Sequence, residues 1–321
     1  MRITNNMIVN SYLTSFNKAL ERQNAIQEQL SDGKAIHRPS DDPVRAVRSL
    51  KYNTNLAENE QFAQNVKDAT SWMETTDSAM TQLSSIMTRA RELVISADGT
   101  KPADALQALG KELDGLIDAA VTIGNTQIGD RYLFAGQMDK TQPLERTTIT
   151  DPISGLGVEV VQYKGDTNHI SLPAQSGLVN PTQDSVNLTG VEAFGPATTY
   201  ATTPPTVTLQ TLNQLIAVKN ELLKASPDVG WLGSTGLGYV NEGHDYVLQA
   251  QTRLGARSSS YAMLSNMLES NSATITTNLS ENEDLDIAKA IIDFKNSENV
   301  YNAALAVGSK IMPQSLVDFL S

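Results

Sequence analysis

Two apolar stripes sit at opposite ends of this chain, and each needs something to pack against. The N-terminal stripe runs Val9, Tyr12, Phe16, Ala19, Gln23, Ile26, Leu30. The C-terminal stripe runs Ile287, Ile291, Phe294, Glu298, Tyr301, Leu305, Gly308, Met312. Both alternate steps of three and four residues, the spacing of a helical seam. An isolated helix cannot bury such a seam. The chain is therefore expected to pair its own ends with each other, or with the ends of further copies. That is the design of a polymer subunit and not of an enzyme. The expected assembly interface comprises Val9, Tyr12, Phe16, Ile26, Leu30, Ile287, Ile291, Phe294, Tyr301, Leu305 and Met312.

Between the ends, turn chemistry and periodicity mark out nested layers. Residues 31–43 read SDGKAIHRPSDDP. Gly33 suits the position just past a helix end. Pro39 and Pro43 bar helix through the stretch, and Asp42 before Pro43 reads as an N-cap with proline opening the next helix. That helix keeps one phase from Tyr52 to Ala97, with Met73, Met80 and Met87 at heptad spacing. Its seam covers about 46 residues, roughly 70 Å of helix. A shorter seam runs from Leu106 to Ile123, and another long one from Val247 to Leu285. The C-terminal stripe restarts at Ile287, two residues before the phase of that last seam. A strict heptad cannot absorb this slip without a break. The break is expected beside the 31–43 loop, so that Gly33, Pro39, Asp42 and Pro43 form a hinge.

From about 130 to 205 the pattern changes to short β-prone runs, TTIT, VEVVQY and HISL, separated by turn signals. TTYATTPPT (198–206) reads as linker, 207–225 as a helix, and the glycine-rich DVGWLGSTGLGY as loop. The fold class is mainly α with an inserted β-rich domain: an elongated bundle of antiparallel long helices with both termini paired at one end. Residues 1–33 and 287–321 make a terminal helical layer. Residues 34–135 and 240–286 make a long-helix bundle. Residues 136–239 make an outer β-rich domain with one helix at about 207–225.

Composition narrows the function. Asp and Glu number 36 against 24 Lys and Arg, a net charge of −12. Phosphate backbones and anionic lipid surfaces repel such a chain, so neither nucleic acid nor membrane is an expected partner. No run approaches the roughly 18 apolar residues of a spanning helix. The start has no apolar signal-peptide core, so no cleavable leader is expected. There is no cysteine, which excludes disulfides, thiolate catalysis and cysteine-held metals. His37, His169 and His244 are scattered without metal-ligand spacing, and no phosphate-binding or nucleophile motif occurs. No catalytic residue, cofactor or metal site is expected. Arg45, Arg48, Arg89, Arg91, Arg253 and Arg257 lie on the inner helices, where intramolecular ion pairing is the plain reading and subunit contact the sharper one. Asn187-Leu188-Thr189 matches a glycosylation sequon, a match that arises often by chance.

MRITNNMIVNSY at 1–12, GKAIHRPSDDPVRA at 33–46 and GDRYLFAG at 129–136 resemble the N-terminal signatures of bacterial flagellin-related proteins. VQYKGD at 161–166, VEAFG at 191–195 and the stretch from Asp284 to Leu320 extend the likeness. RPSDDP together with GDRYLFAG resembles the hook–filament junction branch more than the filament subunit. The resemblance implies a structural subunit whose terminal helices form an inner tube layer and whose β domain projects outward. It implies export without a cleaved leader through the flagellar type III apparatus, with a dedicated chaperone. It implies an extracellular place between hook-associated protein 1 and flagellin, beside copies of itself. The alternative is the flagellin filament subunit. A grafted secreted enzyme and a coiled-coil adhesin are more distant rivals. Free terminal stripes invite aggregation, so residues 1–30 and 287–321 are expected to fold on assembly.

Overall fold

A computed structural model describes residues 2–150, 157–173, 185–202 and 205–311; at 2–6, 8–9 and 309–311 it describes the backbone alone. The chain divides into two units, residues 1–59 with 270–321 and residues 60–269. The long helices α2 (Pro43–Ser96) and α7 (Leu237–Glu283) contribute to both.

In the unit of residues 60–269, the heptad seam of α2 is the core. Val66, Ala69, Met73, Thr76, Met80, Leu83, Met87, Ala90, Val94 and Ala97 are all buried. Val247, Ala250, Leu254, Tyr261 and Leu268 of α7 join the same apolar cluster. The two helices also meet through polar groups: Ser84 Oγ lies 3.2 Å from His244 Nε2, and Gln251 Nε2 donates to Thr81 Oγ1 at 3.2 Å. Helix α3 (Ala103–Gly124) buries Leu106, Leu113, Ile117 and Ala120. So the unbranched methionines fill one stripe of a bundle core, as the seven-residue spacing indicates.

The β-rich part begins with a two-residue-loop hairpin, β1 (Gln127–Ile128) and β2 (Arg131–Tyr132). A four-stranded antiparallel sheet follows: β3 (Leu144–Thr150), β4 (Gly157–Tyr163), β5 (Ala197–Tyr200) and β6 (Thr206–Leu209), in the order β3-β4-β6-β5. TTIT and VEVVQY are strands, registered Leu144↔Tyr163 through Thr150↔Gly157. HISL is not; only Ser171 makes a bridge, to Ser185. TTYATTPPT is more than linker, since Thr198–Tyr200 pair with β6. That pairing is legible only once the partner strand is known. Helix α4 (Gly190–Phe194) lies between β4 and β5 in the chain. Helix α5 (Gln210–Leu222) lies within the helix expected at about 207–225, but residues 207–209 belong to β6 instead.

The glycine-rich segment is helical and not a loop. Asp228 caps α6 (Val229–Trp231) by accepting from Trp231 N–H at 3.0 Å, a π-helical turn spans Leu232–Gly236, and α7 follows directly. Glycine costs a helix only about 1 kcal/mol. Buried Leu232 and the edge-on contact of Trp231 with Tyr239, 5.9 Å between rings, offset it.

Three motifs of the middle region converge on one tyrosine. Tyr163, of VQYKGD, is buried, and burial pushes its phenol up to about 12. Its hydroxyl lies 2.9 Å from Phe134 O and 2.8 Å from Asp166 O, and accepts from Gly190 N–H at 3.2 Å. Phe134, of GDRYLFAG, stands edge-on to Phe194, of VEAFG, at 6.2 Å. Gly136 has φ +71°, and a Cβ there would fall 1.9 Å from Asp166 Oδ1. Thr189 caps α4 in a reciprocal box with Glu192. Asn187 is buried and accepts from Ile170 N–H at 2.8 Å, so the sequon asparagine points inward.

An ion cluster joins four elements of the same unit. Arg146 (β3) meets Asp114 and Asp118 (α3) and Glu159 (β4), the Asp118 contact at 2.5 Å. Lys219 (α5), only 4% exposed, meets Glu159 and lies 3.5 Å from Asp114. Burial works against the charged form of Asp114 and Glu159, but the Arg146 and Lys219 partners outweigh it and hold both carboxyls below their ordinary values.

Two outcomes follow for solution stability. Lys219→Met strands Glu159 beside a single cation and lowers urea-unfolding stability by on the order of 2–3 kcal/mol, less than for a dry pair because both carboxylates keep some water. Because both carboxyls titrate low in the fold, the cluster's contribution is complete above the ordinary carboxylate range, about pH 4, and fades as pH falls through the depressed values; acid unfolding of the Lys219→Met chain should show a smaller loss over that window. Tyr163→Phe removes a buried three-way hydrogen-bond node and lowers stability by about 1–3 kcal/mol, read by the same urea titration.

Candidate assembly interface

The unit formed by residues 1–59 and 270–321 holds the two ends together. Helix α1 (Arg2–Asp32) and helix α8 (Ile287–Ile311) pack against each other. On α1, Tyr12, Phe16, Ala19, Gln23, Ile26 and Leu30 are partly covered, as is Gln29 beside them, so this stripe is inward as its spacing indicates. The side chain of Val9 is not described.

On α8 the covered or partly covered positions are Ala290, Phe294, Ser297, Glu298, Tyr301, Ala304 and Gly308. Phe294, Glu298, Tyr301 and Gly308 belong to the expected seam. Ile287, Ile291 and Leu305 do not turn inward; they are exposed. Met312 lies outside the described residues. Small residues explain the difference: Ala290, Ser297 and Ala304 admit α1 closely, where isoleucine or leucine would hold it off. Aromatic rings then fill the contact. Phe16 stacks on Tyr301 at 5.2 Å, Tyr12 on Phe16 at 6.1 Å, and Tyr12 donates to Ala304 O at 2.7 Å. A Cβ on Gly308 would lie 2.1 Å from the Tyr12 hydroxyl, so a larger residue there must displace the Tyr12 ring. The outcome is a helix pair with one face closed and a second apolar face, Ile287, Ile291 and Leu305, left open.

The residues expected to form a hinge, Gly33, Pro39, Asp42 and Pro43, lie in the loop after α1, and that loop is tied to the chain where α7 gives way to α8. Gly33, at φ +75°, ends α1, and its N–H donates to Gln29 O at 2.9 Å. Ala35 N–H donates to Glu283 O at 2.7 Å, and Leu285 N–H to Gly33 O at 2.8 Å. Lys34 bridges Asp284, and its ammonium meets Glu283 at 3.0 Å. Pro39 lies in the turn that follows, where Asp41 accepts from Arg38 N–H at 3.0 Å and His37 N–H at 3.3 Å. The Arg38 N–H, before the other contacts, holds the Asp41 carboxyl low. Asp32 is held low first by the Lys34 N–H and also by His37, 2.6 Å away. Asp42 caps α2, accepting from Val44 and Arg45 N–H at 3.1 and 3.0 Å, with Pro43 as first helical residue. Asp286 caps α8 through Lys289 N–H at 3.1 Å.

A buried polar knot below the loop has no simple signal in the sequence. Asn282 donates to Arg45 O at 2.9 Å and to Ser49 Oγ at 2.6 Å, while Arg45 Nε returns a bond to Asn282 O at 3.0 Å. The one hint is that Asn282 stands on the apolar seam, where Arg257, Asn271 and Asn278 are also polar. Four of the inner arginines bind within the chain: Arg45 here, Arg89 to Glu92 and Glu112, and Arg253 and Arg257 towards Glu192. His37, His169 and His244 lie in three separate places, and among the described residues no cluster of metal-binding side chains forms.

Comparison with known proteins agrees with this architecture. Residues 3–139 match the bacterial flagellin N-terminal helical region. The chain is 28% identical over 150 residues to flagellar hook-associated protein 3 of Salmonella typhimurium, covering 46% of this chain and 47% of that one. It is 26% identical over the full length of both chains to the flagellin of Bacillus subtilis. A structure described as a flagellar hook-associated protein from Vibrio parahaemolyticus superposes with a TM-score of 0.61 at 19% identity, covering 76% of this chain and all of the other, which establishes a shared fold. The chain spans about half or less of the length of the curated hook-associated relatives it matches. The chain is thus similar to the flagellin N-terminal helical region over residues 3–139, and to flagellar hook-associated protein 3 over about half of its length.

Proposed function

We propose that the chain is a structural subunit of the bacterial flagellum that joins hook to filament by helical self-assembly. The observation that carries this is the α1–α8 pair, closed on its aromatic face and open on the face of Ile287, Ile291 and Leu305. A subunit that meets unlike neighbours needs a face left over after its own ends have paired. The neighbours are hook-associated protein 1 on one side, flagellin on the other, and further copies of the chain within the zone. Similarity to hook-associated protein 3 supports the junction role. Travel to the tip as an unfolded chain, attended by an export chaperone, belongs to the same reading. So does a division into a terminal layer, a long-helix bundle and an outer β domain, with the loop at Gly33–Pro43 as the joint between the first two. A non-enzymatic role is consistent with the family.

One observation favours a second reading. The likeness to the Bacillus subtilis flagellin runs end to end, while that to the hook-associated relatives covers about half. A filament subunit is therefore the alternative.

A strain lacking the gene separates the two. Capless hooks with flagellin shed into the medium establish the junction role; complete hooks and caps with no flagellin anywhere, in a strain with no other flagellin gene, establish the filament subunit. The terminal layer has its own test. Gly308→Val drives a methyl into Tyr12 and should, in the assembled state, raise amide exchange across α1 and α8 above the wild-type level, leave the ion-cluster unit protected, and fail to restore motility. Normal motility with an opened helix pair would remove the pair from the assembly. In the dilute wild-type chain, exchange over 1–30 and 287–321 should be fast and slow on assembly; full protection in the monomer ends the fold-on-assembly idea.

A further inference from the structure

Two apolar rows in the terminal unit remain uncovered. On α2, Val44, Val47 and Leu50, and on α8, Ile287, Ile291 and Ile292, are each between 49% and 67% exposed. Exposed apolar residues grouped this closely mark an interaction surface. Six helical steps from Val44 to Leu50 make one row about 9 Å long, and five from Ile287 to Ile292 make the other about 7.5 Å, a near match.

Their electrostatic surroundings are opposite. From Pro43 to Ala57 the charged residues are Arg45, Arg48 and Lys51, with no acid. Arg45 is turned to Asn282 O, leaving Arg48 and Lys51 exposed beside the row. Around the start of α8 stand Glu281, Asp284 and Asp286, all exposed, while Glu283 between them is paired with Lys34, so the patch keeps a net negative charge. Asp286 caps α8, Asp284 accepts from Ser280, and Lys289 is the first cation to follow. Like-on-like pairing of either row would face cation with cation or carboxylate with carboxylate. Pairing one row with the other brings apolar surface together inside a complementary rim.

We propose that the Val44–Val47–Leu50 row of one copy docks on the Ile287–Ile291–Ile292 row of a neighbouring copy, with Arg48 and Lys51 against Glu281 and Asp284. The inference rests on the self-assembly reading above and names the surfaces that serve it. Because the two rows differ, each copy offers one of each, and the contact propagates without closing on itself.

The chain has no cysteine, so introduced thiols report only their own contacts. Full-length Val47→Cys and Ile291→Cys chains are mixed at high concentration with a short bis-maleimide linker. The expected product is a covalent dimer joining 47 to 291, on the order of tenfold above either chain alone. Adding Arg48→Glu and Lys51→Glu to the first chain lowers the yield about tenfold, and Glu281→Lys with Asp284→Lys in the second restores it; that rescue excludes misfolding as the cause. Linkage confined to 47–47 or 291–291 pairs, or absent, overturns the proposal, the rows then serving a like contact or another flagellar protein. The same cross-link is then sought in hook–filament particles from cells carrying both variants. Particles that contain the chain without the 47–291 link overturn this contact and leave the junction role standing. A link in the purified chain with the chain missing from particles does the reverse.

Discussion

The terminal unit depends on one closure: residues around 34 must meet residues around 283. Lys34 and Glu283 are 249 positions apart and in contact. Closing a loop of that length in a flexible chain costs about 5 kcal/mol. The exposed ion pair between them contributes at most about 1 kcal/mol. No single contact at the junction can hold it, and the structure does not rely on one. Two backbone hydrogen bonds, the Asn282–Arg45–Ser49 knot and the α1–α8 aromatic stack act together. The closure also becomes shorter once α2 and α7 have paired through the Met73–Met80–Met87 stripe within residues 60–269. The terminal helices therefore gain a partner cheaply only after the inner helices are in place. This ordering suits ends that must stay available to a neighbour.

What was legible in the chain follows from the range of each interaction. The α2 seam, the Asp42–Pro43 start and the phase slip near 285 are local, set by residues within a few turns. The structure places a helix, a cap and the Glu283–Ile287 break there. The motifs GDRYLFAG, VQYKGD and VEAFG stood out as strings, but their joint role around the Tyr163 hydroxyl depends on three segments meeting. The Arg146–Lys219 cluster was invisible for the same reason: its five members come from four elements. β5 reads as linker because it has little apolar content of its own and takes its conformation from β6. The glycine-rich run before α7 misleads because glycine weakens a helix without forbidding one.

The candidate interface was half legible, and the half that was missed is instructive. On α1 the bulky residues are also the inward ones. On α8 the bulky aliphatic residues and the inward stripe differ. A spacing rule that follows hydrophobicity selects Ile287, Ile291 and Leu305, whereas close helix approach selects Ala290, Ser297, Ala304 and Gly308. Hydrophobic area decides which surface needs covering; small side chains decide which surface can be covered by the nearest helix. In a monomeric enzyme these two choices coincide, because leaving large aliphatic groups in water forfeits roughly 1.5–3 kcal/mol apiece.

Their separation on α8 is the argument for assembly. If the ends existed only to close the chain, turning Ile287, Ile291 and Leu305 onto α1 would bury more apolar area than the alanines do. The aromatic stack of Phe16 on Tyr301 needs the small-residue face, and it leaves the aliphatic face outward. That arrangement leaves the aliphatic face for a second surface to cover, as the assembly reading requires. The net charge of −12 keeps such chains apart in dilute solution by mutual repulsion. In the contact proposed above, local charge of opposite sign at the start of α2 and the start of α8 would select which surfaces meet when copies are held together. Repulsion at long range combined with attraction between particular patches at contact would then fix the register of joining without favouring unspecific association.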